Sequence, residues 1–434
     1  MDKMADVLGR AGAWCGQNKY LSAIKNAFQN FMPLTIAGAI GVLWCNVLVN
    51  DQTGLGLFFK PIMALDFLNP AFQAVNFCTI SCITVGITLG IAQEIGVWNM
   101  GAERAGYIPG LVGLAAWLSV TNTSHMVEGA KDAFTGIAGN ELGATGLFTG
   151  MIIGVLSVEL FCFFEKQDAL KIKMPEQVPP GVARAFEVLV PATITLIITA
   201  CIGSACYNLT GLYLNDVIKN GIQGPLGAVG ATVPGVMIIY LVIMLFWLVG
   251  IHGNNMLSAV KEALFTPLAL ENVEKFNKGE KPTNIINMYA LQMWGEFGGS
   301  GVTIGLVIAI MIFGKREDNK AIATLSLVPG LFNINETVTF GIPMVLNPIL
   351  GIPFVVAPLI TIIIGYVLTV IGFCPVACLT VPWTTPPIVF GFLACGANVM
   401  GAVTQAILIV VSTVIYVPFL ISYEKYQNKQ AAEA

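Results

Sequence analysis

From Thr337 to Tyr423 the chain runs for 87 residues without an Asp, Glu, Lys or Arg. A soluble domain interleaves charge with apolar residues to keep an outer face in water, and about 25 % of its residues are charged. Here only 11 % are. Three further stretches, Asn26–Asn50, Val188–Asn215 and Asn220–Val260, hold no charge once His252 is counted as neutral. A bilayer span needs about 20 mostly apolar residues. These runs exclude a soluble enzyme and a disordered chain. They predict an all-α polytopic membrane protein with about ten transmembrane helices.

With a net charge of −4 and no basic tail, the chain offers nothing to nucleic acid. The first 20 residues are polar and lack the apolar stretch of a signal peptide, so the first span is expected to be uncleaved and to start near Met32. Most of the ten cysteines lie in apolar segments, where a free thiol acts as a small hydrophobe. Cys374 and Cys378 are close in sequence but have no histidine nearby. No metal, no structural disulfide and no cofactor are expected.

Apolar runs place spans at about 32–50, 75–93, 106–120, 144–164, 188–208, 232–250, 287–313, 344–372 and 400–421. Two further segments are apolar but interrupted: 321–343 by Pro329 and Pro343, and 375–398 by Pro375, Pro382, Pro386 and Pro387. Proline removes an N–H and clashes with the preceding turn. A break at bilayer depth is tolerated only inside protein or beside a water-filled cavity, so these segments predict two re-entrant hairpins around a binding site. Lys3, Arg10, Lys19 and Lys25, then Lys166, Lys171, Lys173 and Arg184 four spans later, put the N-terminus in the cytoplasm. The loop 261–281, with Lys261, Lys275, Lys278 and Lys281, agrees. Lys315, Arg316 and Lys320 do not agree if 287–313 crosses once. The first half has ordinary spans, and the second has the breaks and the isolated polar groups. The expected division is a scaffold and dimerisation domain at 1–208, an amphipathic connector at 209–231 and a transport domain at 232–434.

An ionisable group in an apolar segment is costly and marks function by default. Glu336, in Phe332-Asn-Ile-Asn-Glu-Thr337, is the only charge between Ala321 and Tyr423. With Asn333 and Asn335 it sets three polar side chains at the turn of a broken hairpin. A carboxylate accepts hydroxyl hydrogen bonds and amides both donate and accept, which suits a polyhydroxylated ligand. A protonated Glu336 satisfied by the backbone is the weaker reading. His252 stands in Gly250-Ile-His-Gly-Asn-Asn255, where glycines permit close approach and Asn254 adds an amide. Glu296 precedes Phe297-Gly-Gly-Ser-Gly301; close helix packing is the leading reading of that turn, with Gly299, Ser300 and Glu296 as candidate ligand contacts. Trp383, in Pro382-Trp-Thr-Thr-Pro-Pro387, can stack on a sugar ring or anchor the chain at the interface. Arg184 precedes a span and is read first as an anchor paired with Glu187, and second as a contact for a partner or a product phosphate. Glu94 and Glu159 are read as structural.

Together these residues resemble the IIC permeases of bacterial sugar phosphotransferase systems, in the lactose, cellobiose and N,N'-diacetylchitobiose group. The resemblance covers nearly the whole chain. It is carried by Ala23-Ile-Lys-Asn26, Met32-Pro-Leu-Thr-Ile-Ala-Gly38, Val178-Pro-Pro-Gly-Val-Ala-Arg-Ala-Phe186, Gly250-Ile-His-Gly253 and Thr266-Pro-Leu-Ala-Leu-Glu-Asn272. Further on come Gly298-Gly-Ser-Gly301, Phe332-Asn-Ile-Asn-Glu336, Phe340-Gly-Ile-Pro-Met-Val-Leu-Asn-Pro348 and Val381-Pro-Trp-Thr-Thr385. It implies a homodimer in the bacterial cytoplasmic membrane that binds a disaccharide in an occluded site and carries it across by rigid-body motion of the C-terminal domain. It also implies that a phosphocysteine on a separate IIB protein phosphorylates the sugar at its C6 hydroxyl. The family's site histidine, glutamate and tryptophan fall on His252, Glu336 and Trp383. Thr337 stands where the family usually has proline, and Glu296 is also a departure. Both touch the pocket region, so a monosaccharide or modified sugar stays open beside the disaccharide. In chemical terms, Glu336 can act as general base toward the hydroxyl, and His252 can orient it or stabilise charge on the phosphoryl group. A chain filled with spans is expected to leave no room for a fused IIA or IIB domain. Two other readings stand beside this one: an ion-coupled sugar transporter with Glu336 and His252 as proton relays, and a membrane-embedded enzyme using the same pair as acid and base.

Overall fold

The computed structural model describes residues 10, 14, 17–51, 55–125, 134–175, 177–342, 344–345 and 347–433. Lys3, Cys15 and Pro343, which enter the expectations above, lie outside the described residues. The helices used below, numbered in chain order, are α1 Lys19–Leu43, α2 Ile83–Met100, α3 Ile108–Val120, α4 Ala144–Glu165, α5 Pro180–Thr210, α6 Val233–Leu248 and α7 Ser258–Asn277. They continue with α8 Met288–Gly295, α9 Ile304–Phe313, α10 Glu317–Leu331, α11 Glu336–Gly341, α12 Gly351–Val370, α13 Val389–Ala394 and α14 Val399–Glu433. One short antiparallel pair, β1 Ser124–His125 with β2 Phe134–Thr135, interrupts the otherwise helical chain.

By length and composition, five helical stretches among the described residues can each cross a membrane: Lys19–Leu48, Ala144–Glu165, Pro180–Thr210, Gly351–Val370 and Val399–Glu433. Lys60–Ser81 with Ile83–Met100, bent by 42°, makes a sixth if counted as one span. Three shorter apolar helices, α3, α6 and α9, fall below a span's length. The apolar run 287–313 reads as one span in the sequence, but the structure breaks it into α8 and α9. Gly298, Gly299 and Gly301 lie at φ 70°, 87° and 81°, and Val302 at 48°, a left-handed path that no helix can follow. The basic loop expected at 261–281 is instead helical to Asn277. Lys261, at its start, is buried, because a carboxylate meets it there.

Two compact units emerge. One comprises Gln17–Gly38 and Ala74–Gly227; the other includes Ala39–Gln73 and Ala228–Ala434. In the first, α2, α3, α4 and α5 pack on one another around Ala116, Trp117, Val120 and Ile153. In the second, α12 packs against α6, α8 and α14, and α9 lies along α14. Gly365 of α12 lies directly on the Trp294 indole of α8, a contact that any larger residue would push apart. This packing fixes the ends of α6, α8 and α11, from which the polar groups described next project.

Candidate functional site

Thr232 caps α6, its hydroxyl accepting from the Gly235 N–H at 3.2 Å, and the apolar helix ends at Leu248. The chain then turns through Gly250, at φ 81°. His252 caps the next short turn of helix: its Nδ1 accepts from the Asn255 N–H at 3.3 Å. The same N–H is shared with the His252 carbonyl at 3.0 Å, and with Nδ1 turned to it, Nε2 faces outward as the free ring nitrogen. That Nε2 lies 3.8 Å from Glu336 Oε1. The gap is too long for a hydrogen bond, and both side chains keep exposed surface, 36 % and 47 %. A ring nitrogen and a carboxylate thus stand side by side, each available to one hydroxyl. The Trp247 ring lies 4.4 Å from the imidazole ring, centre to centre.

The turn after α8 comes close to the turn before α11. Gly299 is required here twice over, by its φ and by space. A Cβ on it would lie 2.7 Å from Asn335 Cβ and 3.0 Å from the Asn333 carbonyl oxygen. Ser300 is buried between two asparagines. Asn254 donates to its hydroxyl at 2.9 Å and Asn335 to its carbonyl at 2.8 Å. The buried Asn254 Oδ1 and Trp247 Nε1 have no hydrogen-bond partner among the described residues. An acceptor and a donor therefore flank His252, and leaving a buried polar group unpaired costs about 1–3 kcal/mol.

Asn333, at φ 61°, accepts from the Gly298 N–H at 2.6 Å and donates to the carbonyls of Trp383 and Thr385. This brings the Trp383 turn to the same place. The indole is 44 % exposed. Glu296 closes the group from behind. Tyr240 donates to its Oε1 at 2.6 Å, Lys261 forms an ion pair with the same oxygen, and its carbonyl accepts from the Gly299 N–H at 3.0 Å.

Of the residues singled out in the sequence, the structure gathers His252, Asn254, Glu296, Gly299, Ser300, Asn333, Asn335, Glu336 and Trp383 into one connected group. Arg184 belongs to the other unit. There its Nη1 donates to Glu165 at 2.9 Å and Glu187 at 2.8 Å, and Arg104 bridges the same two carboxylates. The pairing with Glu187, three residues on, follows from the sequence; Glu165 and Arg104 are additions of the tertiary structure. Sequence reasoning also missed Lys261, Tyr240 and Trp247. Lys261 has the apolar neighbours Ala259, Val260, Ala263 and Leu264, a pattern that suits a buried helix better than a loop. No group of three or more His, Cys, Asp or Glu that could hold a metal ion occurs among the described residues.

The comparisons identify the family. The family model described as "Phosphotransferase system, EIIC" matches residues 25–358. The oligo-beta-mannoside-specific EIIC component of Bacillus subtilis (strain 168) is 32 % identical over 429 residues, covering 98 % of this chain and 94 % of that protein. The cellobiose-specific EIIC component of Lactococcus lactis subsp. lactis (strain IL1403) is 30 % identical, with 98 % of each chain covered. Among solved structures, the transporter ChbC, the IIC component of an N,N'-diacetylchitobiose-specific phosphotransferase system, superposes with a TM-score of 0.88 at 29 % identity, covering 97 % of both chains. These likenesses favour the phosphotransferase reading over an ion-coupled transporter. The chain belongs to the EIIC family of the phosphotransferase system, the membrane permeases that work with a sugar substrate and a partner IIB protein.

Proposed function

We propose that this permease binds a β-linked disaccharide against His252, Glu336, Asn254 and Trp383 and presents its C6 hydroxyl to a phosphocysteine on the IIB partner at the cytoplasmic face. The observation that carries this reading is the His252–Glu336 pair, 3.8 Å apart, with the unpartnered Asn254 Oδ1 and Trp247 Nε1 beside it. A sugar ring presents a line of hydroxyls, each both donor and acceptor, that can meet the exposed His252 and Glu336 side chains. The sugars named for the relatives, cellobiose, oligo-beta-mannosides and N,N'-diacetylchitobiose, support a β-linked ligand.

The chemistry follows from the geometry. The attacking C6 oxygen must lose a proton as it bonds to phosphorus and the cysteine sulfur leaves. Glu336 takes that proton as general base, a role worth about 10²–10⁴ in rate. His252 donates through Nε2 to the ring or to the phosphoryl oxygens as charge moves onto them. Glu296 and Lys261 act from behind the Gly-rich turn as a neutralised pair. Gly299, Ser300 and Asn335 shape the floor.

The same reading holds the chain as a homodimer in the bacterial cytoplasmic membrane, with its N-terminus in the cytoplasm. It has about ten spans counting the short apolar helices, and the 321–343 and 375–398 segments as re-entrant hairpins. It keeps a scaffold at 1–208, a connector at 209–231 and a transport domain at 232–434. The non-helical turn at 332–335 before Glu336 and the prolines of 375–398 support the hairpins. The test is a binding screen of purified permease against hexoses, glucosides, galactosides, mannosides and N-acetylated disaccharides, followed by phosphorylation with phosphorylated IIB. Tight binding of one β-linked disaccharide and a 6-phosphate product are expected. Accumulation of free sugar driven by a pH gradient without IIB would overturn the reading.

A further inference from the structure

We infer that Asn333 is the positioning residue of this site: its amide fastens the Trp383 turn and the Gly-rich turn to the segment that carries Glu336, and it does not hold the sugar itself. This rests on the reading of Trp383 and Glu336 as sugar contacts.

The first argument is saturation. A primary amide has one carbonyl oxygen and two N–H donors. Asn333 Oδ1 accepts from the Gly298 N–H at 2.6 Å, and Nδ2 donates to the Trp383 carbonyl at 2.5 Å and the Thr385 carbonyl at 3.0 Å. Both donors are spent on the backbone, so a sugar hydroxyl acting as acceptor finds none left. The second argument is the backbone. Residue 333 sits at φ 61°, a region that Gly, Asn and Asp enter readily and other residues enter at a cost. Of those three, only asparagine also supplies an acceptor together with two donors. The third is what the bonds join. Gly298 is 35 residues before Asn333, and Trp383 and Thr385 are 50 and 52 residues after it. One side chain therefore ties three turns that have no common secondary structure. The segment is anchored before the turn by Thr380, hydrogen-bonded to Tyr289 at 2.9 Å, and after it by the Ile388 N–H on Gln405 at 2.7 Å. Within 382–385 the one backbone bond is from the Thr385 N–H to the Pro382 carbonyl at 2.9 Å, and the Asn333 amide adds the two that reach the Glu336 segment.

The test is a double-mutant cycle on disaccharide affinity in the full-length permease, using the disaccharide that binds best in the screen above. Asn333→Ala and Trp383→Ala should each weaken binding about tenfold. If Asn333 acts through Trp383, the double variant loses no more than the worse single. Losses that multiply, or wild-type affinity in Asn333→Ala, overturn the inference while leaving the sugar reading intact. Wild-type affinity in Trp383→Ala removes the reading of the tryptophan and the inference with it. Asn333→Gly supplies the same cycle if Asn333→Ala does not fold, since glycine accepts the left-handed backbone without the amide. Asn333→Asp keeps the bond from Gly298 but turns a carboxylate oxygen toward two carbonyls, so it should lose at least as much as alanine. A set of monodeoxy disaccharides separates positioning from contact. A positioning residue weakens all of them by the same factor. A single deoxy sugar bound equally well by wild type and Asn333→Ala would show a direct contact and overturn the proposal.

Discussion

Two clusters of ionisable side chains among the described residues, one in each compact unit, are built on opposite principles. In the first, Arg104 and Arg184 meet Glu165 and Glu187, and each carboxylate is claimed by both arginines. Charge is cancelled and Glu165 is buried, although the buried Arg184 Nε has no hydrogen-bond partner among the described residues. In the second, His252 and Glu336 come near each other without bonding, and both stay open to solvent. Ion pairs that close on themselves hold a fold together, whereas polar groups kept just apart are held for something else. The second cluster contains both kinds, since Lys261 and Glu296 form a closed pair beneath the open one.

The comparison breaks first at Glu336. Glu336→Gln keeps the size and the acceptor oxygen but removes the base. Phosphorylation by phosphorylated IIB at saturating sugar should fall about 10²–10⁴-fold, with a folded protein and a far smaller change in sugar affinity. Near-normal phosphorylation would make the open pair as structural as the closed one.

The closed pair comes next. Removing one partner of a buried ion pair leaves the other charge uncompensated and costs about 3–5 kcal/mol. Lys261→Met alone should lower thermal stability by an amount of that order, whereas Lys261→Met with Glu296→Gln should recover most of it. If the single and the double variant are equally unstable, the lysine is held by something other than Glu296.

In the arginine cluster the effect is smaller and confined to stability. Glu165→Gln leaves two arginines that still share Glu187, so the loss is about 1.5–3 kcal/mol, the range for hydrogen bonds to charged groups. Sugar affinity should not move. A variant that unfolds normally but binds sugar poorly would place this cluster in function after all.

How much of this was legible in the sequence depends on whether the signal is local. The long apolar runs at 144–164, 188–208, 344–372 and 400–421 correspond to α4, α5, α12 and α14, because hydropathy over one helix is a property of neighbouring residues. Glu336 stood out for the same reason: it is a lone charge in apolar surroundings. Hydropathy could not show that 287–313 breaks in the middle. Its glycines are as compatible with close packing as with a left-handed turn, and only Asn335 pressing on Gly299 decides between the two. Nor could it show that Lys261 is buried, because its partner is 35 residues away. The span count suffers similarly, since α3, α6 and α9 are apolar but short.

The smallest effect sharpens the contrast from the solvent side. The Arg316 guanidinium hydrogen-bonds the Asp318 carboxylate, and this holds its pKa below the ordinary value of 3.8. A carboxylate whose pKa is depressed by folding contributes stability above its unfolded pKa, and that contribution is lost as pH falls through the folded value. The Asp318 side chain is 53 % exposed, so solvent screens the pair and its worth is about a few tenths of a kcal/mol. Wild type should therefore exceed Asp318→Asn slightly in thermal stability at pH 6. The difference should shrink with added salt and disappear as pH falls below the folded pKa, which lies under 3.8. A difference of several kcal/mol, or one insensitive to salt, would mean that this pair is as closed as the arginine cluster. The rule separating the two kinds of charge in this molecule would then have to rest on burial by lipid rather than on pairing.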